Sequence, residues 1–447
     1  MAKINRVSLA AAGLLALGAC TPGAQVESGA APSPALALGV DTTGFDRSVR
    51  PQDDFFAFVN GGWIRNTQIP ADRTSTGTFL LLRDNAQAAL RAIIDSVAAA
   101  NNAPGSEGQK VGDLYRSFMD TARIEQLGIT PLRADLDRIA GVTSREQYPE
   151  LFAAMRRTGV GTPFSFGVGQ DQGNSSRYVV TVSQSGLGLP DRDYYLSDDP
   201  RFAGIRTGYT TYLESLFRLS GNADPAGAAR RVLAFETALA RVQWDRTRNR
   251  DRNATYNPTA VADLQGRTPG FRWAPFFQAA GVTGLDSLVV RQPDYFSAMD
   301  ALLASTPVED VKTYLTARLL DGAASYLSRD FRDARFAFRG RVLSGQEQER
   351  PRWQLGVSVV EGALGEAVGE LYVARHFSPE SKARMEELVA NLMVAYREAI
   401  DELEWMSPAT RAQAQAKLAS FTVKIAYPDE WQDYSALEIR PGDLLGN

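Results

Sequence analysis

The chain has 447 residues, 44% of them hydrophobic and 22% charged, with a formal net charge of -4, one histidine and one cysteine. A body of this length buries a sizeable core, and these proportions exclude wholesale disorder and a multi-span membrane protein. The mild acidity argues against nucleic acid as a partner, and Cys20 with His376 alone cannot build a disulfide framework or a Cys/His metal cluster.

Lys3 and Arg6 precede an apolar run, Val7 to Gly18, that suits a signal peptide but is well short of the roughly 20 residues a spanning helix needs. The run closes on Leu17-Gly18-Ala19-Cys20, which is similar to a bacterial lipobox. Residues 1–19 are therefore expected to be removed, leaving a lipidated Cys20 that anchors the mature chain in a lipid bilayer. Thr21 is unlike an inner-membrane retention signal, so the expected location is the outer membrane, with the body facing the periplasm or the surface. Residues 20–44, rich in Ala, Pro, Gly and Ser, read as a flexible tether, and folding is expected to begin near Thr43.

Helical periodicity dominates beyond the tether. Phe79, Leu82, Leu90, Ile93, Ile94 and Val97 outline an amphipathic helix. Between Pro163 and Ser185, the runs Phe164 to Gly169 and Arg177 to Ser183 flank Asp171-Gln172-Gly173-Asn174 and predict a β-hairpin. Gly186, Gly188 and Pro190 then set a turn, and Tyr194 and Tyr195 supply apolar faces with a polar edge. Ala228 to Val242 and Val308 to Leu327 read as helices. Between them, Asp245 to Arg252 is the densest charge cluster, of mixed sign, and reads as solvated surface or an ion-pair network. His376 falls at a helix end. Ser378-Pro379-Glu380 then opens a helix whose residues Met385, Leu388, Val389, Leu392, Tyr396, Ala399, Ile400 and Leu403 predict one buried face. Ser407-Pro408 repeats the start signal for a helix through Ala419. The fold class is mainly α with a small β-hairpin element.

The residues forbid several chemistries. A catalytic zinc usually takes histidines among three protein ligands, and a single histidine rules out His-Glu-x-x-His anywhere in the chain. No Gly-x-Ser-x-Gly elbow presents a nucleophile, and no lysine lies three residues after a serine. Gly167, Gly169 and Gly173 have the wrong spacing for a phosphate loop and suit a hairpin turn. Paired carboxylates stay open among 52 acids.

Several segments together resemble the neprilysin and endothelin-converting-enzyme family of zinc metallopeptidases. They begin with Arg50-Pro51-Gln52-Asp53-Asp54-Phe55-Phe56-Ala57-Phe58-Val59-Asn60-Gly61-Gly62-Trp63 and Ile69-Pro70. The most specific stretch is Gln184-Ser185-Gly186-Leu187-Gly188-Leu189-Pro190-Asp191-Arg192-Asp193-Tyr194-Tyr195. Arg352-Trp353, Leu371-Tyr372-Val373, Trp405-Met406, Thr410-Arg411 and Tyr427-Pro428-Asp429 follow in the family's order. The resemblance covers residues 45 to 440. It implies a large helical lid domain, here 81–400, that closes over a thermolysin-like catalytic domain and admits peptides. Residues 45–80 are then expected to pack on the catalytic domain and 401–447 to start the return to it. The zinc motif is expected downstream of Asn447, so that this chain carries neither catalytic nor metal-binding residues of its own and its missing catalytic domain is a partner. Relatives in this family place two arginines near the carboxylate end of the substrate. The second matches Arg83 and the first falls on Ser75, with Arg73 off register. The resemblance thus implies an exported metalloendopeptidase, zinc-dependent in full-length form. The rival reading is a non-catalytic lipoprotein that binds peptides or serves as a scaffold.

Overall fold

The structure, a computed structural model, describes residues 41–447, so the expected signal peptide, Cys20 and nearly all of the tether lie outside the described residues. The chain divides into two units, Met1–Gln68 and Ile69–Asn447.

In the first unit, Asp54 starts helix α1 (Phe55–Asn66) by accepting from the backbone N of Ala57 at 2.8 Å. The preceding segment folds back along this helix. Phe45 meets Phe58 edge-on at 5.1 Å, the N–H of Trp63 donates to the carbonyl of Gly44 at 3.1 Å, and Asp46 pairs with Arg65. The approach explains a glycine of the entry motif: a Cβ on Gly62 would lie 2.8 Å from the Gly44 carbonyl oxygen.

The second unit has two cores. The smaller is built by helices α2 (Thr78–Ala99) and α3 (Glu107–Met119) with a long helix near the other end of the chain. The larger gathers α4 (Tyr148–Arg157), α5 (Pro200–Leu219), α6 (Pro225–Val242), α7 (Pro293–Ser305) and α8 (Val308–Ala323). At its centre, Phe164 packs on Phe271, Trp273, Phe276 and Phe296 with ring centroids 5.0–6.0 Å apart. Each such side chain, fully buried, stabilises the fold by about 1.5–3 kcal/mol. The expected hairpin is present as β1 (Phe164–Gln170) and β2 (Tyr178–Gln184), paired antiparallel from Phe164↔Gln184 to Gln170↔Tyr178. It belongs to a larger sheet of order β1-β2-β4-β3, in which β3 (Pro258–Ala260) and β4 (Ser287–Val290) are additions to the expected element, and β4 runs parallel to β2.

The long helix is α9 (Arg352–His376), bent at Leu364, whose φ/ψ of -131°/36° breaks the helical path. Its Val357, Val360, Leu364 and Val368 complete the smaller core with Leu90, Ile93, Ile94 and Val97 of α2 and with Tyr434 and Ile439. Helices α10 (Pro379–Glu402) and α11 (Pro408–Ala419) begin where the sequence places them, Ser378 and Ser407 accepting from Ser381 N and Thr410 N at 3.3 and 3.2 Å. Two expected apolar faces are not buried. Phe79 and Leu82 project from the first turns of α2, at 87% and 57% exposure, ahead of the part held by the smaller core. No residue of α10 is buried, and Leu388 and Tyr396 are each 54% exposed, because this helix forms a hairpin with α11 and no other described segment covers its apolar stripe. Among the described residues no helix is long and apolar enough to cross a membrane.

Candidate functional site

Arg83 lies in the exposed first part of α2. Ser75, also exposed, precedes the helix. Arg73, two residues before Ser75, pairs with Asp84 at 2.8 Å and with Asp72 at 3.3 Å and is therefore engaged. These pairs hold the segment before α2 against the helix. Among the described residues no carboxylate lies within salt-bridge distance of Arg83, so its guanidinium fork is open to a carboxylate from outside.

The stretch Gln184 to Tyr195 leaves the end of β2 and is fixed from beneath by buried polar side chains. Gly186 has a φ of +95°, and a Cβ there would lie 2.8 Å from the Cα of Pro163 and 2.9 Å from the carbonyl oxygen of Thr162. Only glycine fits without strain. The hydroxyl of Tyr314 donates to the Gly186 carbonyl at 2.7 Å, and Arg339 donates to that of Gly188 at 3.0 Å. Tyr195 accepts from the N–H groups of Gly188 and Leu189 at 3.0 and 2.8 Å and donates to Glu236 at 2.8 Å. Tyr209 donates to the other oxygen of Glu236 at 3.2 Å. The motif therefore hangs on a carboxylate with 0% exposure, one turn of α6 beyond Val232.

A second buried acid completes the support. Asp321 accepts two bonds from Arg339, at 2.6 and 3.0 Å, and one from Tyr212 at 2.8 Å, with Arg318 3.3 Å away. Burial alone would raise the Asp321 carboxyl, but Arg339 and Arg318 outweigh it and hold the group below its ordinary range. Glu236 goes the other way. Burial pushes it up to about 7, against the charge of Arg318 at 4.0 Å and the bonds from Tyr195 and Tyr209. The difference is geometric: Asp321 receives a bidentate guanidinium, and Glu236 receives only hydroxyls at bonding distance. Residues of the π-helix Phe336–Leu343 supply Arg339.

Sequence reasoning singled out the loop and missed these supports. A signal was present, since Glu236 falls among Val232, Phe235 and Leu239 on an apolar helix face, and Tyr314, Arg318 and Asp321 share one face of α8. The Asp245 to Arg252 run is the expected ion-pair surface: Arg246 meets Asp191 at 3.4 Å, and Arg248 meets Asp294 at 3.1 Å while covering the Trp244 ring at 3.4 Å.

His376 is exposed at the end of α9, its ring tilted against Tyr372 at 4.7 Å, and no group of three or more His, Cys, Asp or Glu gathers among the described residues.

The family model described as peptidase family M13 matches residues 51–428, more than four-fifths of the chain. Endothelin-converting enzyme 1 of Rattus norvegicus is 30% identical over 407 residues, which are 88% of this chain and 53% of that protein. Endothelin-converting enzyme-like 1 of the same organism is 30% identical over 444 residues, 94% of this chain and 56% of that protein. The chain thus spans about half the length of the curated relatives it matches. Among solved structures, the Mycobacterium tuberculosis zinc metalloprotease ZMP1 in complex with an inhibitor superposes with a TM-score of 0.86 at 41% identity, covering 91% of this chain and 62% of that one. PepO from Lactobacillus rhamnosis shares the fold, with a TM-score of 0.79 at 22% identity and coverage of 89% and 63%.

Proposed function

The chain belongs to peptidase family M13, as its N-terminal region, and from that premise we propose that it forms the helical lid of an exported zinc metalloendopeptidase that hydrolyses peptides. The observation that carries this reading is α10, a 24-residue helix with no buried residue and an apolar stripe through Met385, Leu388, Leu392 and Tyr396. A continuous exposed stripe of this kind marks a contact surface, and the proposed occupant is the catalytic part of the same enzyme. With one histidine in the chain, the zinc is assigned to residues outside it. In the assembled site the ion supplies a bound water of lowered pKa. The part given to this chain is to enclose the peptide and, through Arg83, to pair with its carboxylate end.

The test is zinc content and chelator-sensitive cleavage of a mixed peptide library by residues 21–447, beside a chain extended through the downstream reading frame. The extended chain is expected to hold stoichiometric zinc and cleave, and the shorter one to do neither. Chelator-sensitive turnover by the shorter chain at a comparable rate would overturn the assignment.

Export and anchoring complete the proposal. Cys20 is assigned as the lipidated residue that ties the enzyme to the outer membrane, on the strength of Leu17-Gly18-Ala19-Cys20 behind an apolar run. A Cys20→Ser chain is expected to shift from the membrane to the soluble fraction on cell fractionation. Unchanged membrane association would refute the anchor.

A further inference from the structure

The fixed loop described above has a second surface. It forms one wall of a cleft of about 430 Å³, whose other wall is the turn Gln243 to Arg250. The floor is locked by reciprocal amide bonds. Gln184 donates to the Trp244 carbonyl at 2.9 Å and accepts from the Trp244 N–H at 2.8 Å, while Gln243 donates to the Ser185 carbonyl at 2.7 Å. Gln292 ties the two walls together, accepting from Gln184 N at 3.0 Å and donating to Asn249 at 2.8 Å. A cleft so braced keeps its shape before a ligand arrives, which is the condition for tight binding at small size.

Its charge is unbalanced. Arg192, Arg246 and Arg250 line it, against one acid, Asp191, which is engaged with Arg246. Asp245 is turned to the backbone N–H of Arg248 at 2.8 Å, and Arg248 itself is held by Asp294 and Trp244. Among the described residues no carboxylate lies within salt-bridge distance of Arg192 or Arg250. Arg192 is half-buried, and its Nε is fully buried without a hydrogen-bond partner. Asp245 feels the charge of Arg192 only from beyond salt-bridge distance, which leaves the guanidinium without a bonded counter-ion, and an anion held between Arg192 and Arg250 supplies one. Leu187 and Pro190 give the same cleft an aliphatic wall, which favours an organic acid over an inorganic ion.

We propose that this cleft is a carboxylate-binding subsite, in which Arg192 and Arg250 hold an acidic side chain or the C-terminal carboxylate of a short peptide against Leu187 and Pro190. It is separate from the Arg83 position and independent of the zinc assignment, since it requires binding and no turnover.

The probe is dansyl-Gly-Gly-Glu-Glu with a free C-terminus, with three companions: its C-terminal amide, dansyl-Gly-Gly-Gln-Gln free acid, and dansyl-Gly-Gly-Gln-Gln amide. Binding is read by fluorescence on the purified full chain carrying Arg83→Gln, so that α2 contributes nothing. At least one acid-bearing peptide is expected to bind saturably, and the Gln-Gln amide is not. Which of the two intermediate peptides binds tells the side-chain carboxylate from the terminal one. Adding Arg250→Gln, an exposed substitution that spares the fold, is expected to weaken binding about tenfold, the loss of one charge-assisted bond. Adding Arg192→Lys, which keeps the charge and loses the fork, is expected to weaken it as well. Equal binding of the Gln-Gln amide, no saturation by any peptide at millimolar concentration, or affinity unchanged by Arg250→Gln overturns the proposal.

Discussion

Replacing Asp321 with alanine is expected to destabilise the chain by about 3–5 kcal/mol, the range for removing one partner of a buried ion pair. Asp321 takes both arms of Arg339, the hydroxyl of Tyr212 and the charge of Arg318 at once, and it is 7% exposed. Without it, two partly buried guanidiniums face only Glu236, at 4.0 Å from Arg318, and the carbonyl of Gly188. The loss falls on the loop as well as on the core, since Arg339 also holds Gly188. Urea unfolding of both chains at neutral pH measures it, through a lower midpoint at unchanged denaturant slope. A shift worth under about 1 kcal/mol would mean that the cluster is solvated and that the support assigned to it is wrong.

Stability is also expected to fall as pH rises from about 4.5 to about 7, and Glu236→Gln is expected to flatten that fall. Burial raises the folded-state pKa of Glu236 from 4.5 to about 7. The folded form therefore binds the proton more tightly than the unfolded chain does. The stabilising contribution is complete below the unfolded value and is lost as pH passes through the folded one. At about 1.4 kcal/mol per pH unit the limit over this window is about 3 kcal/mol. Asp321 and Asp171, both held below their ordinary range, act with the opposite sign and at lower pH, whereas burial also raises Asp300, Glu349 and Glu361, so the share of Glu236 is the part of the fall that Glu236→Gln removes. Glutamine keeps the shape without ionising: its one oxygen can accept from Tyr195 while its amide N–H donates to the Tyr209 hydroxyl. Denaturant unfolding of the two chains at half-unit steps from pH 4.5 to 8 gives the comparison. A slope that survives Glu236→Gln undiminished would show that Glu236 stays ionised and that another group titrates.

Local features were legible in the sequence because their causes are local. Ser378 and Ser407 cap the helices they precede, and Asp171-Gln172-Gly173-Asn174 turns the hairpin. Strands β3 and β4 were not legible. They are three and four residues long, and β4 gains its place beside β2 from pairs such as Thr181↔Val289, more than a hundred positions apart. Periodicity likewise marked the apolar stripe of α10 without saying whether anything covers it, since a pattern defines a face and burial needs a neighbour. At the candidate sites the Gln184 to Tyr195 loop and Arg83 stood out by resemblance. The acids behind the loop did not, because the contact of Glu236 and Asp321 with it comes from the packing of three separate helical segments.

The smaller core sets a timetable for the chain as it emerges. Lys110, buried in α3, donates to the carbonyl of Tyr434 at 2.5 Å, 324 positions later, and Ser117 accepts from the N–H of Gly442 at 2.8 Å. Tyr434 and Ile439 close a layer whose other side is built from α2 and α3. A chain that emerges N-terminus first from an export channel presents α2 and α3 well before those partners arrive. During that interval α2 and α3 have each other but neither α9 nor the closing segment, so Leu90, Ile93 and Leu114 remain open to solvent or to a holdase. The larger core, drawn from Leu132 to Phe338, is complete earlier. Folding is thus expected to be out of sequence order, with the larger core settling first and the smaller core closing last.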